Sequence, residues 1–380
     1  MTINAEGNAK NTEEKRAIRW AVVGGGQISQ QAFMPAIGRT ESSELVALVS
    51  GDEEKRDRLA GQYGLAAYGY EQYPELLASG TIDAVYVATP VFRHREFAVP
   101  ALEAGLHALV EKPFEVSVEA AQAIIDAAER GGATLMAAYR LHQEPGTVAL
   151  VEAVRGGAVG EPRFFSSVFA QTIDERNHRS NNGFWGGPVA DMGTYPLNEA
   201  RMLFDAEPIE VSAHGVRTSD RDFPDTVAVT LVFPDERVAQ FTAAYSTAYT
   251  ESFTLAGSEG IITSSSCYDW GGDVAITWTT TDADGNSSEH RYDPVDQFAG
   301  QVEYFVDCVR AGSEPEPSGA EGLCDVRVLA AIEKSLESGE PVSLEPYERT
   351  WHVTNEQVRS VAPGHDPGDD EMVSVITQNP

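Results

Sequence analysis

From Ala17 to Ala138 the chain alternates two hydrophobic rhythms. Short apolar runs read as buried parallel strands: Ile18 to Val23, Leu45 to Val49, Ile82 to Val87, Leu106 to Val110 and Thr134 to Ala138. Helical spacing fills the gaps over Gln27 to Ile37, Glu53 to about Tyr63 and His94 to Ala104, and in a helix capped by Ser117 that runs to Glu129. This alternation predicts an α/β fold, a doubly wound parallel sheet of the Rossmann kind. After Arg140 the rhythm changes. A helix over Pro145 to Arg155 ends at Gly156-Gly157, and period-two segments follow at Pro162 to Ala170, Glu210 to Val216, Thr226 to Phe233, Val238 to Tyr245, Ser252 to Ala256 and Val274 to Thr279. They predict a C-terminal α+β domain on an open, mainly antiparallel sheet with one solvated face. Two later helices, Val295 to Ala311 and Gly319 to Ser338, close that domain or return to the first. The expected organisation is a disordered lead-in (1–16), a dinucleotide-binding domain (17–140), a second domain (141–360) and a disordered tail rich in Gly, Pro and Asp (361–380).

Charge narrows the function classes. The net charge is −32, from 59 acidic and 27 basic residues, and no Lys/Arg cluster offers a face to nucleic acid or an anionic membrane. Only five of the 27 basic residues are lysines. Dispersed acidity with so little lysine suits a halophilic protein, in which salt screens the self-repulsion. No run of about 18 apolar residues is present, and the polar N-terminus lacks the apolar core of an export signal, so a cytoplasmic location is expected. Cys267, Cys308 and Cys324 are far apart and read as free thiols. Neither they nor the eight histidines show metal-ligand spacing, so no metal is expected. Asp282-Ala283-Asp284-Gly285-Asn286 looks like the start of a calcium loop but lacks its distal Glu, and reads as a hairpin turn.

The chemistry gathers at the ends of the apolar runs. The first leads into Gly24-Gly25-Gly26-Gln27-Ile28-Ser29. Gly24 and Gly26 fill two positions of a dinucleotide fingerprint, and Ser29 is small enough for the third. The helix opening there offers free N–H groups to a pyrophosphate. The second run ends in Ser50-Gly51-Asp52-Glu53-Glu54-Lys55-Arg56. A carboxylate at Ser50 would hold a ribose 2′-hydroxyl. Ser50 with Lys55 and Arg56 favours a 2′-phosphate, hence NADP(H) over NAD(H), although Asp52, Glu53 and Glu54 oppose it. Ala88-Thr89-Pro90 ends the third run, and His94 after it is either a cofactor neighbour or a polar residue starting a helix. The fourth ends in Glu111-Lys112-Pro113, where Lys112 is a candidate donor to a reacting oxygen or, more plainly, a solvated charge. Asp191 and Tyr195, four apart, share a helix face. Asp191 could instead cap that helix, and Tyr195 could pack in the core.

With Tyr139-Arg140-Leu141-His142, these stretches resemble the glucose–fructose oxidoreductase/inositol dehydrogenase (Gfo/Idh/MocA) family over about Ala17 to Arg359. Ser50, Lys55, Tyr139 to His142 and Tyr195 to Asn198 look most like its aldose-acting branch, which includes glucose–fructose oxidoreductase and the D-xylose dehydrogenases of salt-loving archaea. The resemblance implies a Rossmann domain followed by a sheet domain that binds substrate and mediates oligomerisation. It implies Lys112 as the catalytic lysine, Asp191 as the residue orienting substrate and Tyr195 as the acid/base, with Tyr139 and His142 also at the substrate. It implies cofactor contacts from Gly24, Gly26, Gln27, Ile28, Ser50, Gly51, Lys55, Arg56, Ala88, Thr89, Pro90, His94, Glu111, Lys112, Arg140 and Trp185. Val91 departs from the pattern, since the family usually has Asn there. The expected activity is NADP-dependent hydride transfer with a sugar, most specifically aldose C1 oxidation to the lactone, with NAD as a possible substitute. A reductase of a ketosugar, anhydro-sugar or dicarbonyl, and a non-catalytic nucleotide sensor, are the alternatives. Sugar choice is expected to lie in second-domain side chains, including the 174–183 loop.

Overall fold

In the computed structural model, residues 16–173, 178–347, 349, 352–368 and 370–373 are described. Six parallel strands form the first sheet, in the order β3-β2-β1-β4-β5-β6. They are β1 (Ile18–Val23), β2 (Ser43–Val49), β3 (Ala66–Tyr68), β4 (Ala84–Val87), β5 (His107–Val110) and β6 (Leu135–Ala137). The order reverses between β1 and β4, which opens a crevice at their carboxyl ends. The first helix starts at Gln27, widens to a π-turn over Ser29–Phe33 and ends with Met34–Ile37. The hydrophobic pattern missed β3 and the helix Tyr73–Ala78 that follows it. β3 has three residues, two of them exposed, so it carries no apolar run.

The second sheet has nine strands in the order β14-β13-β12-β11-β7-β10-β9-β8-β15. These are β7 (Pro162–Thr172), β8 (Glu210–Val216), β9 (Thr226–Phe233), β10 (Arg237–Ala244), β11 (Ser246–Gly257), β12 (Gly260–Ser266), β13 (Thr277–Asp282), β14 (Ser287–Arg291) and β15 (Val342–Ser343). Every pair is antiparallel except β7 with β10, at the middle. Phe165, Ser167 and Phe169 of β7 face inward while Phe164 faces out. Asp282 to Asn286 is a hairpin turn: Asp282 Oδ1 accepts from the backbone N–H groups of Asp284 and Asn286, and Gly285 takes φ 85°.

Two later helices join the layers. Val302, Phe305 and Val306 of Gln297–Ala311 complete the apolar cluster around Trp20, Val22 and Phe33, with Phe305 5.2 Å from Trp20 between ring centroids. This segment, placed by its rhythm within 141–360, is therefore built into the first domain's core. In Gly319–Ser338, Gly322 lets Phe114 approach so closely that a Cβ there would lie 2.6 Å from its ring.

The expected disorder after Val361 needs correction. Val361 packs against the cluster that Ala32 and Ala36 of the first helix form with Phe298, and Val373 is buried and bonded to Gln30 of that helix. The partners of His365 and Val373 lie more than 300 positions earlier in the chain, so composition gave no sign of this. Residues 1–15 and 374–380 fall outside the described residues. Among the described residues no helix is long and apolar enough to cross a membrane.

Candidate active site

The glycine turn after β1 is shaped by what it touches. Gly24 has φ 106°, and a Cβ there would sit 2.5 Å from the Ala88 carbonyl oxygen at the end of β4. Only glycine fits, because the β1 and β4 ends press together at the switch point. A Cβ on Gly26 would meet nothing within 4 Å, so open space lies in front of the turn. Ser29 Oγ donates to the Gly24 carbonyl at 2.6 Å, the helix–turn packing expected of a small residue there. Ala88 donates its backbone N–H to Val23, and the buried Thr89 hydroxyl has no partner among the described residues. An open space before a helix N-terminus, beside an unsatisfied hydroxyl, fits the pyrophosphate of a dinucleotide.

At the end of β2, Ser50 is buried next to the turn, and Asp52 caps the helix Glu53–Tyr63 by accepting from the Lys55 backbone N–H. Asp52 is thereby turned to its own helix. The Arg56 guanidinium is tied to Asp57 at 2.8 Å and reaches Glu53 at 3.9 Å. Gly51 sits under the Tyr70 ring, where a Cβ would be 2.6 Å away.

The strongest gathering is at the end of β5. Glu111 accepts from Tyr86 Oη at 2.6 Å and from the Lys112 backbone N–H at 3.0 Å. Burial pushes its carboxyl up. It fixes the turn, whose Lys112–Pro113 peptide is cis. Lys112 Nζ donates to the Asp191 carbonyl at 2.8 Å and to Asp191 Oδ1 at 3.3 Å. It lies 4.8 Å from the centre of the Tyr195 ring. Asp191 sits in a π-turn (Val189–Gly193) that runs into the helix Thr194–Phe204, so it does not cap that helix. Its Oδ2 accepts from Tyr245 Oη at 3.0 Å, and Arg179 Nη2 lies 3.4 Å from Oδ1. Burial pushes the Asp191 carboxyl up. The charges of Arg179 and Lys112, with hydrogen bonds from Tyr245 and Lys112, more than reverse this and hold it well below the usual range. Burial pulls the Lys112 ammonium down, but Tyr195, Asp191 and Glu111 outweigh it and leave it raised. Lysine, aspartate and tyrosine thus meet at the crevice between the two sheets, on the carboxyl edge of a dinucleotide fold.

Residues 18–139 match the oxidoreductase family with an NAD-binding Rossmann fold, GFO_IDH_MocA, and residues 147–263 match the GFO/IDH/MocA C-terminal domain. A D-xylose 1-dehydrogenase (NADP(+)) of Haloarcula marismortui is 30% identical over 348 residues, 88% of this chain and 96% of that protein. This chain belongs to the Gfo/Idh/MocA oxidoreductase family. A dTDP-3,4-didehydro-2,6-dideoxy-alpha-D-glucose 3-reductase of Streptomyces violaceoruber is a further family relative, 30% identical over 81% of this chain and 90% of that one. Among solved structures, an aldose-aldose oxidoreductase from Caulobacter crescentus complexed with glycerol matches with TM-score 0.79 and 31% identity. It covers 87% of this chain and all of that one.

Other candidates surround this Gfo/Idh/MocA site, and Tyr139 and Arg140 line one cavity with Lys112 and Tyr195. His94 is buried between the Thr89 and Phe114 carbonyls, at 3.0 and 3.2 Å, next to the turns after β4 and β5, and its one N–H serves one of them. Burial pulls it down to about 4, so it is neutral at pH 7. Arg140 is buried and spans Tyr268, Asp269 and Gln297, with its guanidinium carbon 5.0 Å from the Tyr195 ring centre, so cations lie near that ring from two residues. Tyr139 is buried, and His142 is fully enclosed between Glu316 and Asn198 at 3.1 and 2.7 Å. His142, Glu316 and Glu321 bring ligand atoms within 4.8 Å of one another, but both ring nitrogens of His142 already have partners. Asn198 continues this network to Glu321 and Asp325, where Arg201 is buried with Glu207. Asn198 of this network lines the cavity with Lys112 and Tyr195. Trp185 gives its indole N–H to Glu333 at 3.1 Å and packs where the two cores meet. Sequence reasoning did not find Arg179 or Tyr245. Tyr245 follows the last residue of β10, and nothing local marks it. Of the 174–183 loop, residues 174–177 fall outside the described residues.

Proposed function

We propose that this enzyme oxidises an aldose at C1 to the lactone with NADP+, and that Lys112, Asp191 and Tyr195 carry the chemistry. The dinucleotide supplies the hydride acceptor in oxidation and the donor in reduction. The observation that carries the reading is Lys112 poised over the Tyr195 ring while held by Asp191. Roles follow by elimination. The Lys112 ammonium keeps its proton at neutral pH and acts as a donor to the substrate oxygen. The Asp191 carboxylate is too weak a base to take a hydroxyl proton, and it orients the cations around it. The half-buried Tyr195 hydroxyl is the group left to relay the proton: in oxidation it accepts the substrate's proton as it releases its own to solvent, and in reduction the transfer runs backward. Ser50 and Lys55 support NADP+ over NAD+, in keeping with the NADP(+) in the name of the Haloarcula relative. The acidic composition supports work in high salt inside the cell, and exposed Phe164 and Ile261 on the outer sheet face support a homo-oligomer built through that face.

The test is reduced-nicotinamide absorbance in concentrated KCl, with NADP+ and NAD+ each offered a panel of aldoses. Reduction by xylose or glucose with NADP+ preferred is the expected result. Lys112→Ala should lower kcat/KM by about a thousand-fold while NADPH still binds. If aldoses give nothing and a keto- or dicarbonyl sugar oxidises NADPH, the enzyme is a reductase, in line with the names of its 3-reductase and 1,5-anhydro-D-fructose reductase relatives.

A further inference from the structure

The glycine turn can serve a pyrophosphate only if its peptide N–H groups face outward. A trans peptide holds its C=O and N–H on opposite sides, so pinning a carbonyl backward aims the next N–H forward. Both carbonyls of this turn are pinned. Ser29 Oγ holds the Gly24 carbonyl, and Gln30 Nε2 holds the Gly25 carbonyl at 2.9 Å. The first bond aims the Gly25 N–H, and the second aims the Gly26 N–H, into the open space before the turn.

Gln30 is itself held from the far end of the chain. Its Nε2 also donates to the Val373 carbonyl at 3.1 Å, and its Oε1 accepts the Val373 backbone N–H at 2.7 Å. Both amide hydrogens and the amide oxygen are thus engaged, with Gln30 2% and Val373 6% exposed. Without the Val373 backbone nothing fixes which way that amide faces, and an inverted amide would turn its oxygen toward the Gly25 carbonyl. The rest of the segment is held at and just beyond the same helix. Val361 packs against the cluster of Ala32, Ala36 and Phe298, and Arg39 binds Asp366 at 2.9 Å, Asp296 at 2.5 Å and the His365 carbonyl.

We propose that the segment from Val361 to Val373 is a remote part of the dinucleotide site, and that Gln30 is the positioning residue through which Val373 orients the Gly25–Gly26 peptide. The proposal rests on the dinucleotide reading of the glycine turn, so binding must be measured apart from turnover. NADPH affinity, read by fluorescence titration, would be compared for the full chain, a variant ending at Pro367, Gln30→Leu and the combination. Each single change should weaken NADPH about ten-fold, the scale of one buried hydrogen-bonding arrangement. The combination should be no weaker than Gln30→Leu alone, because the segment acts through Gln30. KM for NADP+ should rise while kcat at saturating NADP+ and KM for the sugar stay near the parent values. Affinity within two-fold of the parent after truncation, or losses that multiply in the combination, would overturn the proposal. Gln30→Leu keeps the segment and tests the relay if the truncated chain does not fold. A parent chain that fails to bind NADPH would instead refute the dinucleotide reading.

Discussion

Asp191 sits among charges that agree with one another. Lys112 and Arg179 share Oδ1, while Tyr245 meets Oδ2 and Tyr195 stands four residues on. Burial pushes Tyr245 well above the usual phenol range, so it keeps its proton and donates. Tyr245→Phe removes that hydrogen bond and keeps the ring packed near Phe223. One influence holding Asp191 down is then lost. A carboxyl with a depressed pKa is ionised above that pKa and loses its charge as pH falls, so the acid limb of kcat/KM should move to higher pH. The loss near neutrality should be about ten-fold, the scale of one hydrogen bond to a charge. Affinity for NADPH should not change. A pH profile that overlays the parent's would make Tyr245 a packing residue only.

The glycine turn and the strands around it show how one element divides its requirements among positions. Gly24→Ala drives a Cβ into the Ala88 carbonyl at a positive φ, and should cost about 1–3 kcal/mol of stability in chemical denaturation. Gly26→Ala meets no protein atom within 4 Å, so stability should hold while NADPH binding fails, because the new methyl occupies the ligand's space. Equal stability losses in both would refute this division. The turn could be read from the sequence because it needs particular residues at fixed spacing beside a continuous apolar run. Lys112 could be read for the same reason, since its strand ends at a charged pair and a proline. The Asp191–Tyr195 pair showed through its helical spacing, although the π-turn beneath Asp191 did not. β3, β14 and β15 escaped notice because short, exposed strands bury too little to set a pattern, and β12 because its Thr and Ser residues break the apolar alternation. Arg179, Tyr245 and the Gln30–Val373 pair depend on contacts between distant segments, which no local period records. Tyr139, Arg140 and His142 were found as a cluster, and Tyr139 and Arg140 line one cavity with Lys112 and Tyr195, while spacing could not say that His142 is enclosed between Glu316 and Asn198.

Across the whole molecule, 59 acidic residues stand against 27 basic ones, and two of the arginines, Arg201 and Arg349, are enclosed in ion pairs. The remaining carboxylates repel one another over distances that salt shortens from about 30 Å at 0.01 M to about 3 Å at 1 M. The melting temperature should therefore climb by several degrees between dilute buffer and molar KCl, and KCl should act at least as strongly as an equal concentration of a neutral osmolyte. A melting curve indifferent to KCl would remove the halophilic reading.

The helix Gln297–Ala311 adds a consequence for how the chain is made. Its Phe305 lies against Trp20, so the face of β1 that carries Trp20 and Val22, which Phe33 covers in part, is completed by residues some 280 positions later. On the ribosome, that apolar face emerges early and waits while roughly 170 further residues follow the end of β6, about ten to thirty seconds at ordinary synthesis rates. During that interval the nascent Rossmann half is a sticky intermediate, and a chaperone that shelters it is doing the work the distant helix will later do for itself.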